Sequence, residues 1–206
     1  MSSSALLWIV DAYAVADEDL LRYRGWLSHS EAQRYQRFVR AQRQRQFVVG
    51  RVLLRLALGR LLRVAPQDVM LEEQVGKAPR LVSPATGVHL PGFSIAHSGR
   101  WVACAVSAQT GLGLDIEMLD PGRDLAALAE QAFDTSEMAQ WQQMQGQGEQ
   151  QRIDGFYRLW SEKEACFKLG VEGGHCLALT HAELSVALCS AKPLARMPVI
   201  EIVTLP

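Results

Sequence analysis

No run in this 206-residue sequence approaches the roughly 18 consecutive apolar residues of a membrane-crossing helix, so nothing in it reads as a span. The opening stretch SSSALLWIVDAYAVADED has no basic leader and meets Asp11 before a secretory core could form; a cytoplasmic protein is the expectation. Cysteine is scarce. Cys104, Cys166, Cys176 and Cys189 make no CxxC pair and lack the density of a secreted disulfide scaffold, which predicts free thiols in a reducing compartment. An excess of one charge sign is missing too: 21 basic residues face 22 acidic ones, and no nucleic-acid reader motif is present, so no nucleic-acid partner is expected.

What is present describes an ordinary globular chain. It is 49% hydrophobic and 21% charged, enough apolar surface to offset the entropy of ordering. The length suits one large domain or two lobes of about 100 residues each. Charge is unevenly placed, with 11 of the 21 Lys and Arg between Arg22 and Arg63, where an anionic group could dock.

ALLWIV reads as a first strand. From Ser30 to about Arg63 apolar residues recur at helical spacing, predicting two helices, the first capped by Ser30, with arginines on their outer faces. Between Val69 and Glu117 the pattern shifts to short apolar runs broken by Gly and Pro, the mark of strands in a small sheet. PGRD opens a helical stretch, QQMQGQGEQQ reads as an exposed loop, and a long helix follows from about Gln151 to Leu169, stopped by Gly170. HAELSVAL and VIEIVTL supply late strands. The expected fold is α+β, in two similarly built halves, 1–117 and 118–206.

Four constellations could carry chemistry. In GLGLDIE an extended strand sends Leu112, Leu114 and Ile116 one way, and Asp115 and Glu117 the other. Two adjacent carboxylates repel unless a cation lies between them, and hard oxygen ligands suit Mg2+; a solvated acidic face is the plain alternative. In WSEKEACFKLG, Glu164 and Lys168 share a helix face and Lys163 stands about a quarter turn away. Such a carboxylate could bind metal or act as a base while the lysines meet phosphate, although an i,i+4 ion pair alone would explain the spacing. In FSIAHSGRWVACAV, His97 at a turn could hold phosphate, whereas His97 and Ser98 are no nucleophile dyad because strand neighbours point apart. Finally, Arg34, Arg37, Arg43 and Arg45 could grip a phosphate through bidentate bonds or simply line a solvated face.

Taken together and in order, the basic helical region ending in GRVLLR, then GKAPRL, FSIAHSGRWVACAVS, GLGLDIE and WSEKEACFKLG resemble the 4'-phosphopantetheinyl transferase superfamily. The likeness is to its monomeric, pseudo-dimeric type, which activates carrier proteins of fatty-acid, polyketide and nonribosomal-peptide synthesis, and it implies two halves related by pseudo-two-fold symmetry with the active site between them. It runs from about Leu27 to Gly174. The resemblance implies transfer of phosphopantetheine from coenzyme A to a serine of an apo acyl or peptidyl carrier protein, with release of 3',5'-ADP. It implies Mg2+ held by Asp115, Glu117 and Glu164, with Glu164 as the base and Lys168, with Lys163 nearby, stabilising charge on the pyrophosphate and leaving group. His97 would contact phosphates, Arg43 or Arg45 the 3'-phosphate, and Lys77 the adenine.

Three departures stand out. Ala96 replaces the serine that the family commonly has before the histidine, GKAPRL inserts an alanine between Lys77 and Pro79, and the chain stops at Pro206 where many members continue, which predicts a reduced second sheet. Two other readings compete: a non-catalytic coenzyme A or nucleotide-binding protein of the same fold, and a Mg2+-dependent pyrophosphate hydrolase using water.

Overall fold

Alternation along the strands organises the molecule into layers. The computed structural model describes residues 4–84, 90–144, 146 and 148–206. Strand β1 (Leu6–Asp11) is followed by α1 (Asp17–Arg24), α2 (His29–Gln36) and the long α3 (Ala41–Leu62). A short hairpin, β2 (Met70–Glu72) and β3 (Arg80–Ser83), leads to β4 (Gly92–Ser98), β5 (Trp101–Ser107) and β6 (Leu112–Met118). Helices α4 (Leu125–Ala132), α5 (Thr135–Met144) and α6 (Glu149–Leu169) precede β7 (His175–Thr180), β8 (Leu184–Ser190) and β9 (Ile200–Ile202).

The chain has an α+β fold. One sheet has the order β4-β5-β1-β9 and another the order β6-β8-β7. The two repeat one connectivity: β1 and β6 each pair with the second strand of the hairpin that follows their helices, β5 and β8 respectively. Strand β9 returns to the first sheet and pairs parallel with β1, Leu7 opposite Ile200. The second sheet has three strands and the first has four.

Residues of one parity in the first sheet, Trp8, Val10, Val102, Cys104 and Val106, pack on Val49, Leu53 and Leu54 of α3. Those of the other parity, Leu7, Ile9, Ala96, Ala103 and Ala105, meet Leu114, Ile116, Val186 and Leu188 of the second sheet. The far side of that sheet carries Ala187 and Cys189 under Ala165 of α6. The order of layers is therefore α3, first sheet, second sheet, α6. Each fully buried Leu or Ile in the inter-sheet layer contributes roughly 1.5–3 kcal/mol.

Some expectations change. The first predicted helix is capped by Ser28, not Ser30: Ser28 and Glu31 form a reciprocal capping box, which their three-residue spacing allows, while the Ser30 hydroxyl accepts from the Glu73 N–H. The arginines of α3 do not all face outward. Arg51 and Arg55 are buried, because Glu31 and Glu73 enter the same space and pair with them. Much of QQMQGQGEQQ is helical, ending α5 and beginning α6, while residues 145 and 147 lie outside the described ones. Cys176 and Cys189 are opposite one another in β7 and β8 and are disulfide-bonded, so not all four cysteines are free.

Candidate active site

Gly113 sets the distance between α6 and β6. A Cβ there would lie 2.0 Å from the Ala165 carbonyl oxygen and 2.6 Å from the Leu169 N, so only glycine lets the helix backbone rest on the strand. Leu112, Leu114 and Ile116 enter the inter-sheet core as the alternation predicts. Asp115 and Glu117 share the other face with Gly113 and stand beside α6.

Across that contact Lys168 Nζ donates to Asp115 Oδ1 at 2.7 Å. Asp115 is 5% exposed, and its Oδ2 is buried without a hydrogen-bond partner. Burial raises the Asp115 carboxyl to about 6 despite the opposing Lys168 charge, and the neighbouring Glu117 and Glu164 charges push the same way. The Lys168 bond and the raised value are compatible, since removal from water outweighs one ammonium reached at a half-open site. Burial also raises Glu117, whose Oε2 accepts a 2.8 Å bond from Ser98. The Asp115, Glu117 and Glu164 oxygens do not all lie within 4.8 Å of one another, as three cysteine sulfurs do. Still, an orphaned buried carboxylate oxygen beside two further carboxylates is a donor set of hard oxygens that fits a divalent cation such as Mg2+.

Strand β4 faces two ways. Ser94 and Ser98 point to β6, accepting from the N–H groups of Leu114 at 2.9 Å and Met118 at 3.0 Å. Ser98 is thus a bridge: it takes the Met118 N–H and donates to Glu117. His97 points oppositely, to α3, where the Arg43 guanidinium lies against its ring, Nη1 2.9 Å from Nδ1. Desolvation first, then the Arg43 and Lys168 charges, lower His97 to about 4, so the imidazole is neutral at pH 7. The turn after Ser98 is held by Gln42 and Gln46 of α3, which donate to the Gly99 carbonyl at 3.1 and 2.7 Å. Gly99 has φ +53°, and a Cβ there would strike the Met118 sulfur.

The remaining expected residues are placed as follows. Arg45 is turned away, bonded to the Ala12 and Val15 carbonyls and paired with Asp17, which leaves Arg43 as the arginine beside His97. Lys163 pairs with Glu137 of α5 at 2.5 Å. Lys77 is exposed in the β2–β3 connection. Ala96 is buried between the sheets, on the strand face opposite His97. Sequence reasoning missed Ser98 as a support for Glu117, and Gly113; in GLGLDIE the small residue two before the aspartate was the available sign of a close backbone approach.

Comparison with known proteins adds an independent observation. Residues 13–109 match a family model described as "4'-phosphopantetheinyl transferase, N-terminal", and residues 111–192 one described as "4'-phosphopantetheinyl transferase superfamily". The chain is 31% identical over 167 residues to the 4'-phosphopantetheinyl transferase HetI of Nostoc sp., covering 81% of this chain and 67% of that one. It is 28% identical over 174 residues to the 4'-phosphopantetheinyl transferase Sfp of Bacillus subtilis, 84% and 72% of the two chains. AcpT of Salmonella typhimurium, a 4'-phosphopantetheinyl transferase, is 29% identical over 171 residues, 76% and 81%. A Synechocystis relative, 31% identical over 155 residues, is spanned over 61% of its length.

Proposed function

The chain belongs to the 4'-phosphopantetheinyl transferase superfamily, and from that premise we propose that it transfers 4'-phosphopantetheine from coenzyme A to a serine of an apo carrier protein, releasing 3',5'-ADP. The observation that carries this reading is the meeting of GLGLDIE and WSEKEACFKLG through Lys168 and Asp115, with Asp115 Oδ2 left open. Among the described residues no helix is long and apolar enough to cross a membrane; the reading itself is of a cytoplasmic, monomeric enzyme.

Mg2+ would be held by Asp115, Glu117 and Glu164, and when bound it would neutralise charge on the coenzyme A pyrophosphate. Glu164, on the α6 turn that carries Lys168, takes the proton from the acceptor serine as its oxygen attacks the β-phosphate. Lys168 is already fixed at the carboxylate face, where its charge offsets that developing on the leaving phosphate. Lys163 joins it once released from Glu137. Arg43 and His97 form the phosphate-facing wall, Arg43 on the 3'-phosphate, the neutral imidazole on the pyrophosphate, with Lys77 along the adenine. Positioning and charge stabilisation supply most of the catalysis in such transfers. The substrates would be carriers of fatty-acid, polyketide or nonribosomal-peptide synthesis, whose acidic surfaces complement the basic α2–α3 region.

Release of 3',5'-ADP from coenzyme A tests the reaction class. It is expected only when an apo carrier is present; equal release without a carrier would identify a hydrolase and overturn the transferase reading.

A further inference from the structure

The face of the second sheet that carries Asp115 also carries a feature that the transfer reaction does not use. Gly113 of β6 is registered with Cys189 of β8, and Cys189 with Cys176 of β7, so the two cysteines lie side by side under α6. From above, Cys166 of α6 brings its sulfur to 3.0 Å from that of Cys189. All three sulfurs lie within 4.8 Å of one another, the only set of three potential metal-ligand side chains among the described residues to converge so closely. Cys104 is buried elsewhere, in the layer between α3 and the first sheet.

We infer that Cys166, Cys176 and Cys189, when reduced, form a three-sulfur site for a thiophilic closed-shell cation, Zn2+ or Cu+. Thiolates are the ligands that select these ions over the hard cations suited to carboxylates. Three sulfurs around one ion at about 2.3 Å stand about 4 Å apart, a spacing inside the 4.8 Å that already spans all three. Each ligand comes from a different element, α6, β7 and β8, and the packing around Ala165 and Ala187 fixes their relation. Entry is open, since Cys166 is exposed. The carboxylate of Glu162 lies close enough to act on Cys166 and adds negative charge beside the ligands. Among the described residues no fourth potential ligand converges on the three, so the ion keeps one side toward solvent, or in the case of Cu+ is satisfied by three sulfurs.

The disulfide is the oxidised, metal-free form of the same site. A dithiol reductant supplies two electrons and two protons to open the Cys176–Cys189 bond and is itself oxidised to its disulfide. Cation binding then displaces the thiol protons. Occupancy would tie α6 to the second sheet between Glu164 and Lys168, at a position distinct from the carboxylates.

The test uses the full chain, reduced with a dithiol, freed of it under inert gas, and titrated in separate arms with Zn2+ and with Cu+ against chromophoric chelators. Co2+ serves as a spectroscopic stand-in for Zn2+. One equivalent is expected in at least one arm, with sulfur-to-cobalt absorption if it is Zn2+. Cys189→Ser and the exposed Cys166→Ser should each lose affinity on the order of 100-fold. Cys104→Ser and Asp115→Asn should bind as the parent does. No stoichiometric binding in either arm, or binding that Cys166→Ser leaves unchanged, overturns the inference. Because Cys166 is exposed, its variant keeps the test informative even if Cys189→Ser folds poorly.

Discussion

Lys168 Nζ bonds to Asp115 Oδ1 at 2.7 Å, across the contact between α6 and β6, while Asp115 Oδ2 stays buried and unpartnered. The ammonium satisfies half of a carboxylate that burial would rather keep protonated. Folded Asp115 holds its proton up to about 6, whereas the unfolded chain releases it near 4. Between those values the folded state binds more protons, so this group lowers stability as pH rises from about 4 to 6 and by a constant amount above. Added Mg2+ should therefore raise the melting temperature more at pH 7.5 than at pH 5, and Asp115→Asn should remove the difference. Thermal unfolding with and without Mg2+ at both pH values checks this.

His97 titrates with the opposite consequence. Its folded value of about 4 lies below the ordinary 6.5, so the unfolded chain takes up the proton first, and stability is lost as pH falls from about 6.5 toward 4. Because His97 is exposed, solvent screening keeps the effect small. Arg43→Ala removes the larger of the two neighbouring charges, and the imidazole should then titrate closer to 6.5, though still below it because desolvation remains. An NMR titration of the ring protons reads this directly; an unchanged midpoint would show that Arg43 does not act on His97.

Gly113→Ala places a methyl group where the α6 backbone lies. The helix must shift, at an expected cost of about 1–3 kcal/mol, and the Lys168–Asp115 bond should loosen with it. Gly111→Ala, where the added atom meets Leu169 and Ala191 no closer than 3.7 Å, should change stability by less than about 0.5 kcal/mol. Urea denaturation of the pair tests whether the close approach is the cause.

Glu31 is fully buried and pairs with Arg51 and Arg55, themselves 6% and 2% exposed. Glu31→Ala leaves two buried guanidinium groups short of a partner and should cost about 3–5 kcal/mol, far more than the loss of a surface ion pair. Equilibrium unfolding measures it. Arg22→Ala, at an exposed pair with Asp19, is the matching surface control.

Short apolar runs made the strands legible, because β1, β5 and β6 are buried over most of their length and so carry apolar residues on both faces. The long helix ending at Gly170 was legible for the same kind of reason, its left-handed cap requiring glycine. Helices α1 and α5 escaped notice since their sequences are largely polar and each buries few side chains, Tyr23 in one and Trp141 in the other. Burial of Arg51 and Arg55 was not legible, as it depends on carboxylates 20 or more residues away meeting them in space. The site followed the same division. Asp115 and Glu117 were placed by strand parity and Lys168 by helix spacing, both local rules. The diversion of Lys163 to Glu137 and of Arg45 to Asp17 and two carbonyls depends on tertiary contacts that spacing does not encode. Nor could spacing distinguish Cys176 and Cys189, partners across adjacent strands, from isolated thiols.

The most direct measurement is intact-mass spectrometry of a panel of apo carrier proteins incubated with this protein, coenzyme A and Mg2+, with an EDTA control and with Glu164→Ala in parallel. The account predicts that at least one carrier gains one phosphopantetheine mass, that EDTA prevents the gain, and that Glu164→Ala slows it far more than it weakens coenzyme A binding. No gain on any carrier by a protein that still binds coenzyme A would contradict it.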